Sequence, residues 1–382
     1  MKKILIITWC PFTDSHFKNY DLYELSKNFE IIIYDITFVL FKNITPKDFI
    51  KKKITKYTKI KYISFFNLKK LIHSIKTAEP NLIINNTDLK NNHIIIKEIL
   101  KKKHTKLLRI LNYSWTDGID LFPKNIFYSI KYFIKKIIFY FNKKNDNDIA
   151  IISGNNLLNK LNSLGKKKYY HHSFAYNFFL KNLKKKSKLK FKKKNKIVSY
   201  VDSEFGFHPD FSLDKNLNKN FDKKSYIKKV NIFFLKLKKA GYKTYFLAHP
   251  KVKINYHKLF KNCEIISNKT FDYISLSDIV VFTSSSAIDL AILYKKKILN
   301  LFSNEIKVYP DNYKAIQYFS RKFNHLFLNL DKIEHEIDID KTINEKLLHP
   351  NSEYDRYINN YVRHPNSKNF KLSELVTKII LN

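Results

Sequence analysis

The sequence predicts an α/β protein of two Rossmann-like domains facing a cleft, and three observations lead there. Apolar strand-length runs alternate with helix-length segments in both halves of the chain, a rhythm that implies parallel sheets covered on both faces. Polar side chains gather where several of these strands give way to helices, which is the edge where open parallel sheets bind ligands. Between the halves lies a lysine-rich stretch, residues 181–196, that no core absorbs. At 382 residues the chain exceeds one small core and suits two domains of ordinary size.

In chain order, residues 4–8 read as a buried strand, 9–17 as a loop, 19–27 as a helix and 29–34 as a second strand. This opening carries no glycine-rich fingerprint, so no dinucleotide cofactor is expected. Further strands fall at 82–85 and 107–111, and Asp117-Gly118 follows the second of them with Asp120 nearby. Asp-Gly is also an ordinary turn signal. Residues 126–141 form a basic amphipathic helix; its apolar stripe suits the domain core first and a membrane interface second. A strand at 148–153, a helix at 156–164 and a strand at 168–172 close the half, with His171-His172-Ser173 at the last strand's end, facing the expected cleft.

The domain boundaries follow: 1–180 an N-terminal Rossmann-like domain, 181–196 a solvated basic linker, 197–350 a C-terminal Rossmann-like domain, and 351–382 helices that pack back across both domains. The second half restarts with Ile197-Val198-Ser199-Tyr200-Val201. Strands then follow at 242–247, 263–266, 278–282 and 298–302, with helices at 224–239, 254–260, 271–275 and 285–294. Helices at 313–322, 354–363 and 372–380 complete the chain.

Composition limits the partners. The formal net charge of +39 (72 Lys and Arg against 33 Asp and Glu) normally raises nucleic acid as a partner. Only Arg109, Arg321, Arg356 and Arg363 are arginines, however, and arginine is the side chain suited to bidentate phosphate and guanine contacts. No nucleic-acid partner is therefore expected. Abundant Lys, Asn, Ile, Phe and Tyr beside scarce Gly, Ala, Pro and Arg is the pattern of an AT-rich coding sequence, which accounts for most of the excess. Peripheral attraction to an anionic membrane or polymer accounts for the remainder. Cys10 and Cys263 lack metal-ligand spacing and suggest a reducing cytosol. There is no signal-peptide pattern and no apolar run near the ~20 residues of a spanning helix. The expected place is the cytoplasm, at the inner face of the cell membrane.

The stretch richest in chemistry runs from Tyr245 to Phe302. Thr283, Ser284, Ser285 and Ser286 follow a buried strand and precede a helix. A plain N-cap needs one of these hydroxyls, so four in a row point to a ligand. Unpaired helix amides and hydroxyls together suit a phosphate group, whose charge grows as a glycosyl bond breaks. His249 ends another strand and is placed to donate to a phosphate oxygen; Pro250 biases it to an extended backbone. An inverting transfer also needs a general base beside the acceptor hydroxyl. Asp117 is the first choice, with Gly118 leaving room for substrate, and Asp120, Glu204 and Asp210 are rivals. Glu204 and His208, in the segment after the strand at 197–201, are further substrate-binding candidates. Asp146-Asn147-Asp148 and Asp338-Ile339-Asp340 have metal-like spacing without a convincing buried strand before them, so no metal site is expected.

The order Asp-Gly, then His-Pro, then a serine pair, spread from Thr116 to Ser286, resembles the bacterial sialyltransferases and polysialyltransferases. Those families have the two-Rossmann glycosyltransferase fold called GT-B. The second half, from Tyr200 to Asn304, also resembles proteins of bacterial surface-polysaccharide clusters. The resemblance implies an inverting, metal-independent transferase that uses a CMP-activated nonulosonic acid. It puts the general base at Asp117 and phosphate contacts at His249, Ser284 and Ser285. The families carry two acids before the glycine, where this chain has Thr116-Asp117-Gly118. The expected partners are a nucleotide-sugar donor and a glycan or lipid-linked acceptor. Three alternatives stay open: a sugar-nucleotide 2-epimerase, a CDP-glycerol-type glycerophosphotransferase, and a non-enzymatic binder of nucleic acid or anionic polymer.

Overall fold

The computed structural model describes residues 1–12, 14–41, 59–86, 93–102, 104–111, 148–155, 167–184, 196–201, 205–207, 220–249, 254–323, 326–334, 338–346 and 352–382. They form two α/β units, each built on a parallel sheet. The first unit takes residues 1–111 and 148–174 together with Arg363–Asn382; the second takes Ala175–Val362.

Seven strands make the first sheet: β1 (Lys3–Thr8), β2 (Glu30–Asp35), β3 (Ile60–Ser64), β4 (Leu82–Asn86), β5 (Lys106–Leu111), β6 (Asp148–Ile152) and β7 (Lys167–Tyr170). Their order is β3-β2-β1-β4-β5-β6-β7. The central strand shows why the sequence folds this way. Ile4 and Ile6 enter one apolar cluster while Leu5 and Ile7 enter another on the opposite face, so a continuous apolar run is what a doubly covered strand requires. The C-terminal helix Leu372–Leu381 covers the first of these faces with Leu372, Leu375, Val376, Ile379 and Ile380, the spacing of a single helical stripe.

The second sheet has six strands: β8 (Ile197–Val201), β9 (Lys243–Ala248), β10 (Glu264–Ser267), β11 (Ile279–Phe282), β12 (Lys297–Phe302) and β13 (Leu326–Asn329). Their order is β10-β9-β8-β11-β12-β13, so in both units the strand order reverses beside the first strand. Helix Lys223–Lys239 packs Tyr226, Val230, Phe233, Phe234 and Leu237 on this sheet. Asp222 caps its start by accepting from Ser225 N at 3.0 Å. Gly241, with φ of 80°, ends it, letting Tyr242 N reach back to Leu237 O.

Several segments depart from the sequence reading. Helix Asp14–Asn19 begins within the expected loop and runs past its end, because Phe17 and Tyr20 turn inward to pack near Phe12. Strand β3 and helix Leu68–Thr77 were not located; β3 is an edge strand whose Lys61 stays exposed and interrupts the apolar run. Helix Phe174–Lys184 extends into the lysine-rich stretch, with Tyr176, Phe178 and Phe179 packed in a core cluster of the second unit. The helix expected at 285–294 is shorter, Ile288–Leu293. The helices expected at 126–141 and 156–164 lie outside the described residues. Among the described residues no helix is long and apolar enough to cross a membrane.

Candidate functional site

The second unit's carboxyl edge is built by strands that end level with one another. Val281, Tyr200 and Phe246 form one row across β11, β8 and β9. Three residues beyond that row on the outer strands stand Ser284 and His249. Two strand spacings, about 10 Å, separate β9 from β11. The edge therefore brings the histidine and the serine cluster together on either side of β8, where the strand order reverses.

The four hydroxyl residues are not equivalent. Thr283 and Ser284 are buried, Ser285 is half-buried and Ser286 is exposed. Ser284 Oγ accepts from Asn312 Nδ2 at 3.0 Å, and Ser285 Oγ accepts from Ala287 N at 3.3 Å. The helix does not open at Ser285 as expected. Ile288, Asp289 and Leu290 donate their amides to the carbonyls of Ser285, Ser286 and Ala287, so a tight i→i+3 turn precedes the helix. With its first amides engaged and six residues of length, the helix gives little dipole. Anion recognition at this edge would fall to the hydroxyls and the loop backbone around Ser284 to Ser286.

Beneath the loop, Asp289 is buried and accepts from Tyr357 Oη at 2.7 Å. Sequence reading missed this carboxylate, although an acid in a helix's first turn is a recognisable feature. Beside β8, Gly206 has a φ of 76°, and a Cβ there would meet Phe221 Cδ1 at 2.7 Å, so this turn requires glycine. Phe205 beside it is buried and stacks on Tyr309, whose hydroxyl burial pushes up to about 12. Lys229 fixes the loops after β12 and β13 by reaching Glu305 at 2.6 Å and Asp331 at 2.5 Å. Burial opposes ionisation of Glu305, but hydrogen bonds from Lys229 and Ser225 hold its carboxyl below the usual range.

The first unit uses its polar groups differently. Asp35, at the end of β2, accepts from Thr37 N at 3.0 Å and Tyr62 Oη at 2.7 Å, and holds that edge rigid. His171 and His172, read from sequence as facing a cleft, are both buried. His171 Nδ1 lies 2.9 Å from the His172 carbonyl and Nε2 lies 3.0 Å from that of Phe370. Asp117, Gly118, Asp120, Glu204, His208, Asp210 and Pro250 lie outside the described residues. Among the described residues, no group of three or more His, Cys, Asp or Glu side chains is placed to hold a metal ion.

Two Rossmann-like parallel sheets, of seven and six strands, constitute the GT-B type of α/β fold. Solved structures share it over nearly the whole chain. The S. aureus MnaA structure with UDP aligns at a TM-score of 0.51 and 12% identity, covering 99% of this chain and 96% of that one. The glycotransferase of kitacinnamycin aligns at a TM-score of 0.51 and 7% identity, covering 99% of each chain. The wall teichoic acid polymerase TagF, an H444N variant with CDPG, aligns at 0.47 and 12% identity, covering 100% of this chain and 88% of its own. No family model matches the chain, and no curated protein matches it in sequence.

Proposed function

We propose that this protein is a glycosyltransferase that moves a sugar from a nucleotide donor to a bacterial surface glycan, free or lipid-linked. One observation carries the reading: a loop of four hydroxyl residues, Thr283 to Ser286, ends the strand where the second sheet's order reverses, two strands from His249. That is where a parallel sheet presents a phosphate to its ligand-binding edge. The likeness to a UDP-bound structure and to a glycotransferase supports a nucleotide-sugar donor.

In this reading the second unit holds the donor. His249, Ser284 and Ser285 donate to its phosphate, Thr283 and Ser286 stand beside them, and Pro250, Glu204 and His208 are further candidates for substrate binding. As the acceptor oxygen attacks the anomeric carbon, the bond to the phosphate oxygen breaks and the nucleotide leaves with the electron pair. Hydrogen-bond donors aimed at that oxygen stabilise the growing charge. Asp117, beside Gly118, takes the acceptor's proton, and the transfer inverts the anomeric centre without a metal. The donor is a CMP-activated nonulosonic acid, the product a capsular or lipopolysaccharide glycan, and the place of work the cytoplasm. A UDP-sugar is the second reading, favoured by the UDP in the MnaA structure.

Thermal-shift titration with CMP, CDP, UDP and GDP tests the reading, since a ligand that prefers the native state raises its stability. A selective rise with CMP supports the first donor and a selective rise with UDP the second. No rise with any of the four, at concentrations well above a millimolar Kd, overturns the site.

A further inference from the structure

The first unit leaves few large apolar side chains in water. Among its described residues these are Met1, Phe66, Leu68, Ile94 and Leu381. Three of them, Phe66, Leu68 and Ile94, stand at or just before the starts of two helices that contact each other. Phe66 and Leu68 follow β3, and Ile94 opens helix His93–Leu100 after β4. That helix and helix Leu68–Thr77 cover the same face of the sheet, through Leu71, Ile75, Ile95 and Ile99. Since both helices begin where parallel strands end, their exposed first-turn residues lie at the same edge.

The tip is ordered and charged. Phe66 is 62% exposed, yet Phe38 stacks against it with ring centroids 4.8 Å apart and planes at 9°, which holds the ring outward. Asn67 caps the next helix by accepting from Lys69 N at 2.8 Å and Lys70 N at 3.2 Å. The side chains of Lys69 and Lys70 are exposed directly behind Leu68. Rigid aromatic and aliphatic side chains fronting a pair of lysines match the interfacial layer of an anionic bilayer, where rings enter the acyl boundary and ammonium groups stay with phosphates.

We propose that this edge of the first unit docks on an anionic phospholipid bilayer, with Phe66, Leu68 and Ile94 entering the interface and Lys69 and Lys70 meeting lipid phosphates. The surface uses none of the residues proposed to bind the nucleotide, so vesicle binding and nucleotide binding are read separately: loss of one without the other tells the two readings apart.

Co-sedimentation of the full chain with phosphatidylglycerol or phosphatidylcholine vesicles tests it. Wild-type protein is expected to bind the anionic vesicles and to keep part of that binding at about 0.5 M NaCl, where charge attraction is screened beyond a few ångström. The Phe66→Ser/Leu68→Ser variant is expected to lose about tenfold in partitioning, chiefly the salt-resistant part, with nucleotide binding unchanged. Binding that salt abolishes in the wild type, equal binding by the variant, or no binding to either vesicle overturns the proposal. Phe66→Trp gives a readout that needs no loss of function. Its emission, compared with the wild-type background, should shift to the blue on anionic vesicles and be quenched by brominated acyl chains, and the absence of either change is a second refutation.

Discussion

Tyr357 and Asp289 meet in the core of the second unit, hydroxyl to carboxylate at 2.7 Å, although 68 residues of chain separate them. Tyr357 ends helix Ser352–Tyr357, and Asp289 stands three residues after the last serine of the loop. The pair fastens the segment that leaves the second unit to the turn that shapes its ligand edge. Tyr354 adds a second tie by donating to the Lys296 carbonyl at 2.9 Å.

Replacing Tyr357 by Phe removes a donor from a buried carboxylate while keeping the ring. The expected loss is about 1–3 kcal/mol of stability, read from denaturant unfolding. An unchanged midpoint would show that Asp289's other contacts suffice.

The serine loop separates into two expected behaviours. Ser285 is half-buried and bonded within its own turn, so Ser285→Ala should weaken nucleotide binding about tenfold with little change in melting temperature. Ser284 is buried against Asn312, so Ser284→Ala should lose affinity and also about 1 kcal/mol of stability. Calorimetric titration beside thermal melts tells them apart. If both variants melt lower and bind nucleotide like wild type, the loop is a structural turn.

Acid should loosen the first unit through His171. Burial pushes its pKa below the ordinary 6.5, against the opposing pull of the His172 and Phe370 carbonyls and of Asp21. A depressed folded value means that the unfolded chain takes up the proton first. The stability from the neutral ring is therefore present above about pH 6.5 and is lost as pH falls through the folded value. Burial lowers His364 in the same direction. The ring resonances of His171 should titrate with a midpoint below 6.5, and the pH dependence of melting on the acid side should flatten in His171→Gln. A midpoint above that value contradicts the sign.

The sheet core was legible because its strands are apolar on both faces. Val280 and Phe282 enter one cluster, Ile279 and Val281 the other, and no polar residue breaks the run. What stayed hidden depended on contacts far along the chain. Ile60 to Ser64 reads poorly because an edge strand needs only one neighbour and tolerates an exposed Lys61. The start of helix Ile288–Leu293 was misread because serines favour helix caps, whereas here their carbonyls close a tight turn first. His171 looked available at a strand end; only the fold brings the Phe370 carbonyl to its ring. The lysine-rich stretch concealed helix Phe174–Lys184, whose lysines gather at the end where a helix favours positive charge.

The return of the chain to the first unit has a consequence for biosynthesis. Ile4 and Ile6 are made before the whole of the second unit, but Leu375, Val376 and Ile379, which pack with them, are made after it. The second unit is complete in sequence before its predecessor, and part of one apolar face of the first sheet stays uncovered until residues 372–380 emerge. A gene cut after residue 174 would therefore encode an N-terminal piece without its lid. A permuted gene placing Arg363–Asn382 ahead of Met1 would supply that lid at the outset.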